Sequence, residues 1–216
     1  MGFEITYVAL IGFIAQGLFF SRFAVQLILS ERAKASISPS IFWQLSLIAC
    51  YLMMTYGYLR NDFSIIEGQI IAYFIYIRNL QLKGVWGKVP KLIKLILIAT
   101  PILVIGYGLF NYVDIVKPLF RDPPATATWL ILATIGQTIF ASRFIYQWVY
   151  SEYKKESIFP LGFWVISILG SAIITVYAIF AKDLVLLIGQ GFGLIVYSRN
   201  FYLRLLENKK NEEVSI

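Results

Sequence analysis

The sequence predicts an all-α integral membrane protein: seven transmembrane helices arranged as 3+1+3 parallel repeats, with the N-terminus outside and the C-terminus inside. Three observations carry that prediction. Of 216 residues, 59% are hydrophobic and 14% charged, with a mean hydropathy of +0.73, which is far too apolar for a soluble domain. Seven apolar stretches, at about 5–29, 39–59, 63–82, 93–113, 127–150, 160–181 and 184–204, each approach the ~20 residues that a helix needs to cross a 30 Å hydrocarbon layer. Displaced by 121 residues, the separation of Arg22 from Arg143, residues 16–80 superimpose on 137–201 without a gap, and about a third of the pairs are identical. Sustained alternation, the mark of spanning strands, is missing from all seven stretches.

Taken in order, the first stretch carries Phe19, Arg22, Gln26 and Ser30 at i, i+3, i+4 spacing, so they share one helix face. It ends at Glu31, and the loop ERAKASISP leads to Pro39, at a position where a first helical turn tolerates proline, with Ser36 and Ser38 as expected caps. The second stretch holds Trp43 and the single cysteine, Cys50; the third holds Gly68, Gln69, Arg78 and Asn79. The fourth has no counterpart in the repeat. Two three-helix repeats fused directly would lie upside down to each other, and this extra crossing restores the second to the orientation of the first. The fifth to seventh stretches repeat the pattern through Phe140, Arg143, Gln147, Ser151, Glu152, the loop EYKKESIFP, Pro160, Trp164, Gly189, Gln190, Arg199 and Asn200, with Ser157 as the expected cap. The domain scheme is therefore a first repeat at 1–82, a linker with the inversion helix at 83–126, a second repeat at 127–206, and a polar cytoplasmic tail at 207–216, expected to be disordered.

Orientation follows from the basic residues. Eleven lie on one side (Arg32, Lys34, Lys83, Lys88, Lys91, Lys94, Lys154, Lys155, Arg204, Lys209 and Lys210), against Arg60, Lys117, Arg121 and Lys182 on the other. The first side is the cytoplasmic one. The net charge of +7 thus reads as topology and not as nucleic-acid binding. The start, MGFEITYV, lacks the features of a cleaved signal peptide, so the first helix is expected to be retained; its match to a myristoylation pattern at Gly2 and Thr6 is weak.

Four arginines, Arg22, Arg143, Arg78 and Arg199, fall within helices, and all belong to repeat pairs. Arg22 lies about 12 Å inside the cytoplasmic helix end and Arg78 about 8 Å inside its own. An arginine at the centre of a spanning helix costs ~2.5 kcal/mol or more, so it faces a partner or a cavity unless it snorkels. With Gln26, Gln147, Asn79, Asn200, Glu31 and Glu152, and with helix N-termini opening at the same face, the arginines are expected to bind an anion, most economically a lipid phosphate. Gln69 and Gln190 read first as hydrogen-bonded packing between helices and second as substrate contacts. Trp43 and Trp164 read first as an interfacial belt and second as platforms for a sugar. The turns 60–62 and 181–183 share an aspartate that ends helices, and Glu67 has no acidic counterpart. The chain has no histidine, and Cys50 lies mid-helix, so neither a Cys/His metal site nor a thiol nucleophile is expected, and no cofactor is implied.

The string RF..Q(L/W)..SE......P..FW..S followed by GQ......Y.RN occurs twice, spanning Arg22 to Asn79 and Arg143 to Asn200. It resembles the lipid A biosynthesis N-terminal domain family, membrane domains found alone or fused to lipid-A-disaccharide synthase or sugar-transferase modules. The repeat plan is also similar to that of SWEET and PQ-loop transporters, an analogy of architecture alone. The first copy departs from the pattern at Leu27, where the second has Trp148, and at Ala49, where the second has Gly170. The resemblance implies a multi-pass protein of a bacterial inner membrane, with lipid A precursors or polyprenyl-phosphate sugars as its molecules.

Three functions follow as expectations. The first is a transporter or flippase for a phosphorylated glycolipid or lipid-linked sugar. The second is a non-catalytic anchor for a glycosyltransferase partner, and the third is lipid-A-disaccharide synthase activity. A non-enzyme is favoured over the third, because a glycosyltransferase must hold a nucleotide sugar and every loop here is shorter than about a dozen residues, against at least about 50 for a domain.

Overall fold

This computed structural model describes residues 7–59, 63–110, 127–182 and 184–214. The turn 60–62, Asp183, Gly2, Thr6, Lys117, Arg121 and the side chains of Glu67 and Gly68, all singled out above, lie outside the described residues. Among the described residues seven α-helices are found: α1 (Tyr7–Ala33), α2 (Ser40–Leu59), α3 (Phe63–Leu82), α4 (Lys91–Phe110), α5 (Ala127–Lys154), α6 (Leu161–Ala181) and α7 (Leu184–Val214), with a 3₁₀ turn at Trp86–Lys88 before α4. By length and composition three of them, α1, α2 and α6, are apolar enough to cross a membrane, with mean hydropathies of 1.8, 1.2 and 2.2. The distribution of side chains fits a lipid solvent. Arg22, Gln26, Asn79, Arg143, Gln147 and Asn200 are buried, while Phe13, Leu103, Ile188 and Ile195 stand exposed. In water that arrangement is inverted, but in hydrocarbon every polar group must be satisfied inside the protein.

The helices gather into two compact units. The first comprises Met1–Arg22 and Trp43–Pro123, and the second Phe23–Phe42 and Pro124–Ile216. Helix α1 is thus divided between them after Arg22. In the first unit a Cβ on Gly12 would meet the Tyr56 ring at 3.0 Å, so α1 and α2 approach closely there. Its α4 contains Pro101. Proline has no N–H to give to the carbonyl four residues earlier, that of Leu97. The Tyr73 hydroxyl on α3 donates to that carbonyl at 2.8 Å, which both satisfies it and ties α3 to α4.

In the second unit α5 packs on α6 and α6 on α7. Gly170 makes the first of these contacts possible: a Cβ there would lie 2.7 Å from the Phe140 backbone nitrogen. The unit's core is aromatic, with Phe159 near Phe42, Phe163 and Trp164 at centroid separations of 5.1, 4.7 and 5.3 Å.

Two expectations change. In the second copy Pro160, and not Ser157, is the N-cap of α6 and makes no side-chain cap, while Ser38 and Ser157 bond each other at 3.0 Å. The polar tail continues α7 to Val214. Its Glu, Lys and Asn residues include strong helix formers, and Arg204 pairs with Glu207 one turn on at 2.8 Å.

Candidate functional site

The repeated polar residues build the same local device twice. Gln26 Nε2 donates to Ser30 Oγ at 2.9 Å and to the Ile37 carbonyl at 3.1 Å, while the Ile37 N–H donates to Ser30 Oγ at 3.2 Å. Gln147, Ser151 and Ile158 repeat these bonds at 2.9, 3.1 and 3.3 Å. One glutamine and one serine therefore satisfy both backbone groups of the loop residue that lies two positions before the proline. Each helix ends one turn earlier with a left-handed lysine, Lys34 (φ 51°) or Lys155 (φ 55°). The N–H groups of Ala35 and Glu156 return to the carbonyls of Ser30 and Ser151, both at 3.2 Å, the closure of a Schellman turn.

In the second unit this device is joined to α7. Gln26 and Asn200 exchange amide bonds, Nε2 to Oδ1 at 2.8 Å and Nδ2 to Oε1 at 3.0 Å. Glu31 and Arg199 form a bidentate pair, with Arg199 Nε on Oε1 and Nη2 on Oε2 at 2.9 Å. Trp164 Nε1 donates to Ser36 Oγ at 2.9 Å. Glu152 accepts from Trp148 Nε1 at 3.3 Å and faces Lys155 at 3.7 Å.

The two deep arginines differ in their surroundings. In the first unit Arg22, 5% exposed, donates through Nη1 to Ser46 Oγ and to Tyr76 Oη, both at 2.9 Å, with its guanidinium over Phe19 at 4.7 Å. In the second unit Arg143, 3% exposed, sits among rings: Phe140 at 3.4 Å, Phe144 at 4.9 Å, Tyr197 at 5.1 Å, Phe23 at 5.6 Å and Phe163 at 5.8 Å. Ser167, the counterpart of Ser46, turns its hydroxyl to the Phe163 carbonyl at 2.6 Å. Both guanidinium groups are held inside the protein. An aromatic cage stabilises a desolvated guanidinium through its ring faces and leaves it a cation in a low-dielectric place, where an anion is bound more strongly than in water.

The remaining expected site residues are placed as follows. Arg78 is half-buried and donates to Gln81 Oε1 at 2.9 Å, and buried Asn79 donates to the Ile75 carbonyl at 2.9 Å. Gln69 and Gln190 occupy matching positions. The Gln69 carbonyl accepts from Cys50 Sγ at 3.4 Å, and Gln190 accepts from Ser171 Oγ at 3.2 Å on its carbonyl and 2.7 Å on Oε1. Trp43 and Trp164 are wholly buried, so the interfacial-belt expectation is corrected: their rings pack in the protein core. Ser46, Tyr76, Ser36 and Tyr197 were not expected at the site. Ser46/Ser167 and Tyr76/Tyr197 are identical across the repeat, and that was the signal available for them.

The chain matches the lipid A biosynthesis N-terminal domain family twice, over residues 11–81 and 132–202. It belongs to that family. Among curated relatives it is 32% identical over 205 residues to the lipid-A-disaccharide synthase of Chlamydia pneumoniae, covering 92% of this chain and 34% of that protein. The synthase of Chlamydia trachomatis serovar D is 33% identical over 193 residues, covering 85% of this chain and 32% of that protein. That of Chlamydia muridarum is 28% identical over 193 residues, with 85% and 32% covered. The chain spans about a third of the length of these relatives. No solved structure matches it.

These relatives overturn the expectation of a non-enzyme, because they carry the name of an enzyme across most of this chain. That expectation looked for a whole nucleotide-sugar site inside one third of such a protein's length. Membership places the chain in lipid A biosynthesis, and none of the three synthases is named as a transporter.

Proposed function

We propose that this chain is the membrane-embedded part of a lipid-A-disaccharide synthase, acting in a bacterial inner membrane. The observation that carries this reading is kinship along nearly the whole chain with proteins of that name. Here the seven helices cross the membrane as 3+1+3, in the domain scheme given above, with the paired loops on the cytoplasmic side. The substrate is a phosphorylated, lipid-anchored sugar. Arg22 and Arg143 each offer a phosphate a planar guanidinium in a dry setting, with hydroxyls at the first and aromatic faces at the second. Each unit is assigned its own part in holding that substrate: Asn79, Arg78, Trp43 and Gln69 with Arg22 in the first, and Gln26, Gln147, Asn200, Glu31, Glu152, Arg199, Trp164 and Gln190 with Arg143 in the second. In the transfer, a hydroxyl of one acylated sugar attacks the anomeric carbon of another and a nucleotide leaves. The helices orient the lipid-borne partner, and orientation alone accounts for much of the acceleration of a two-substrate step.

The duplicated buried arginines also fit a second reading, in which the chain moves the lipid-linked sugar between leaflets for a partner glycosyltransferase. One experiment addresses both. Membranes with and without the chain are supplied with a nucleotide-activated acyl sugar and a phosphorylated acyl sugar. Chain-dependent disaccharide supports the synthase reading. No gain in disaccharide, with chain-dependent movement of labelled lipid across vesicles, overturns it in favour of transport.

A further inference from the structure

The connector between α3 and α4 is rigidly built and strongly basic. From Gly68 to Val113 the sequence has no acidic residue, while Arg78, Lys83, Lys88, Lys91 and Lys94 fall within that stretch. The backbone after α3 closes through Gly84 N–H to the Gln81 carbonyl (2.9 Å) and Val85 N–H to the Leu80 carbonyl (3.1 Å). Gly84 stands at φ +69°, a left-handed position that glycine takes without strain. The 3₁₀ turn then closes through Lys88 N–H to the Val85 carbonyl at 3.0 Å, and Pro90 leads directly into α4.

Lys91 is the first residue of the 20-residue α4, with Lys94 one turn on and no acidic residue in the first turn. Cations there oppose the positive end of the helix dipole, the reverse of what helix stability favours. Lys88 and Lys91 are exposed, and among the described residues no carboxylate pairs with Lys88, Lys91 or Lys94. Trp86 lies near Lys94, whose Nζ is 5.9 Å from its ring centroid. An indole next to ammonium groups, directly before a helix that exposes Leu92, Leu95 and Ile98, matches a lipid whose phosphate meets the lysines and whose chains run down the helix.

We propose that Lys88, Lys91 and Lys94, with Trp86, form a binding site for the phosphate headgroup of an anionic lipid. The site lies wholly within the first unit and does not depend on the synthase reading. An anion there offsets the concentration of like charge at the helix start, which nothing else described in this segment does.

The test is native mass spectrometry of the full chain in neutral detergent, titrated with dioctanoyl phosphatidic acid, dioctanoyl phosphatidylcholine or inorganic phosphate. The triple variant Lys88→Gln/Lys91→Gln/Lys94→Gln is compared with wild type and with a charge-matched control, Lys34→Gln/Lys154→Gln/Lys155→Gln, after circular dichroism has established equal helicity. The expected result is selective retention of phosphatidic acid, weakened at least tenfold in the first triple variant and within twofold of wild type in the control. Equal loss in both variants would reduce the effect to net charge and overturn the site. Binding of phosphatidylcholine or of inorganic phosphate as tight as that of phosphatidic acid would equally overturn a site for an anionic lipid. If the triple variant is less helical, the single variants Lys88→Gln and Lys91→Gln are used, each expected to weaken retention at least twofold; no change in either overturns the proposal.

Discussion

Gln26 and Asn200, 174 positions apart, exchange two amide hydrogen bonds at 2.8 and 3.0 Å with both side chains wholly buried. Such a pair satisfies a donor and an acceptor on each partner, and removing either side strands the other. Gln26→Ala and Asn200→Ala should each lower stability by ~1–3 kcal/mol. The double variant should cost clearly less than the sum. Thermal unfolding in one detergent, as a double-mutant cycle, measures the coupling; strict additivity would mean that the two amides act separately.

The bond from Tyr73 to the Leu97 carbonyl should matter chiefly because Pro101 leaves that carbonyl without its helical donor. Tyr73→Phe is expected to destabilise by ~1–3 kcal/mol. In a Pro101→Ala background, where the helical N–H returns, the same substitution should cost much less. An equal cost in both backgrounds would remove the link between the two residues.

Gly170→Ala places a methyl group 2.7 Å from the Phe140 backbone, which cannot yield as a side-chain tip could. The expected cost is ~1–3 kcal/mol, through displacement of α5 from α6. The first repeat carries buried Ala49 at the matching position, so Ala49→Gly is not predicted to improve packing. Unfolding midpoints of the two variants check the contrast.

Lys34 and Lys155 occupy left-handed positions that glycine favours. Replacing either with glycine should stabilise the chain by ~0.5–1 kcal/mol. A loss of disaccharide formation alongside that gain would mark the lysine charge as functional, whereas unchanged activity would assign the residue to the turn alone.

Much of this was legible in the sequence because the chain repeats. The identity of Gln26, Ser30 and Ile37 with Gln147, Ser151 and Ile158 foretold two equal devices, and their bond lengths agree to within about 0.1 Å. All seven helices lie within a few residues of the apolar stretches, except that α7 runs on through its polar end. What sequence could not supply was side-chain direction. The hydroxyl of Ser46 accepts from Arg22, a partner that no local spacing indicates. Trp43 and Trp164 looked interfacial because tryptophan favours that depth, but depth along a helix does not tell which face is packed. The grouping of the second half of α1 with α5–α7 depends on long-range contacts that no local period encodes. The expectation of a non-enzyme fails for another reason: a complete nucleotide-sugar site is sought in one chain, while the named relatives are about three times as long.

The most direct measurement of the central claim is lipid A disaccharide formation by membranes carrying wild type, Arg22→Ala, Arg143→Ala and the matching lysine variants, with equal folded protein established beforehand. The proposed role predicts at least a tenfold loss in each alanine variant and a partial recovery with lysine, which keeps the charge but not the bidentate fork. Wild-type yields from both alanine variants would contradict it.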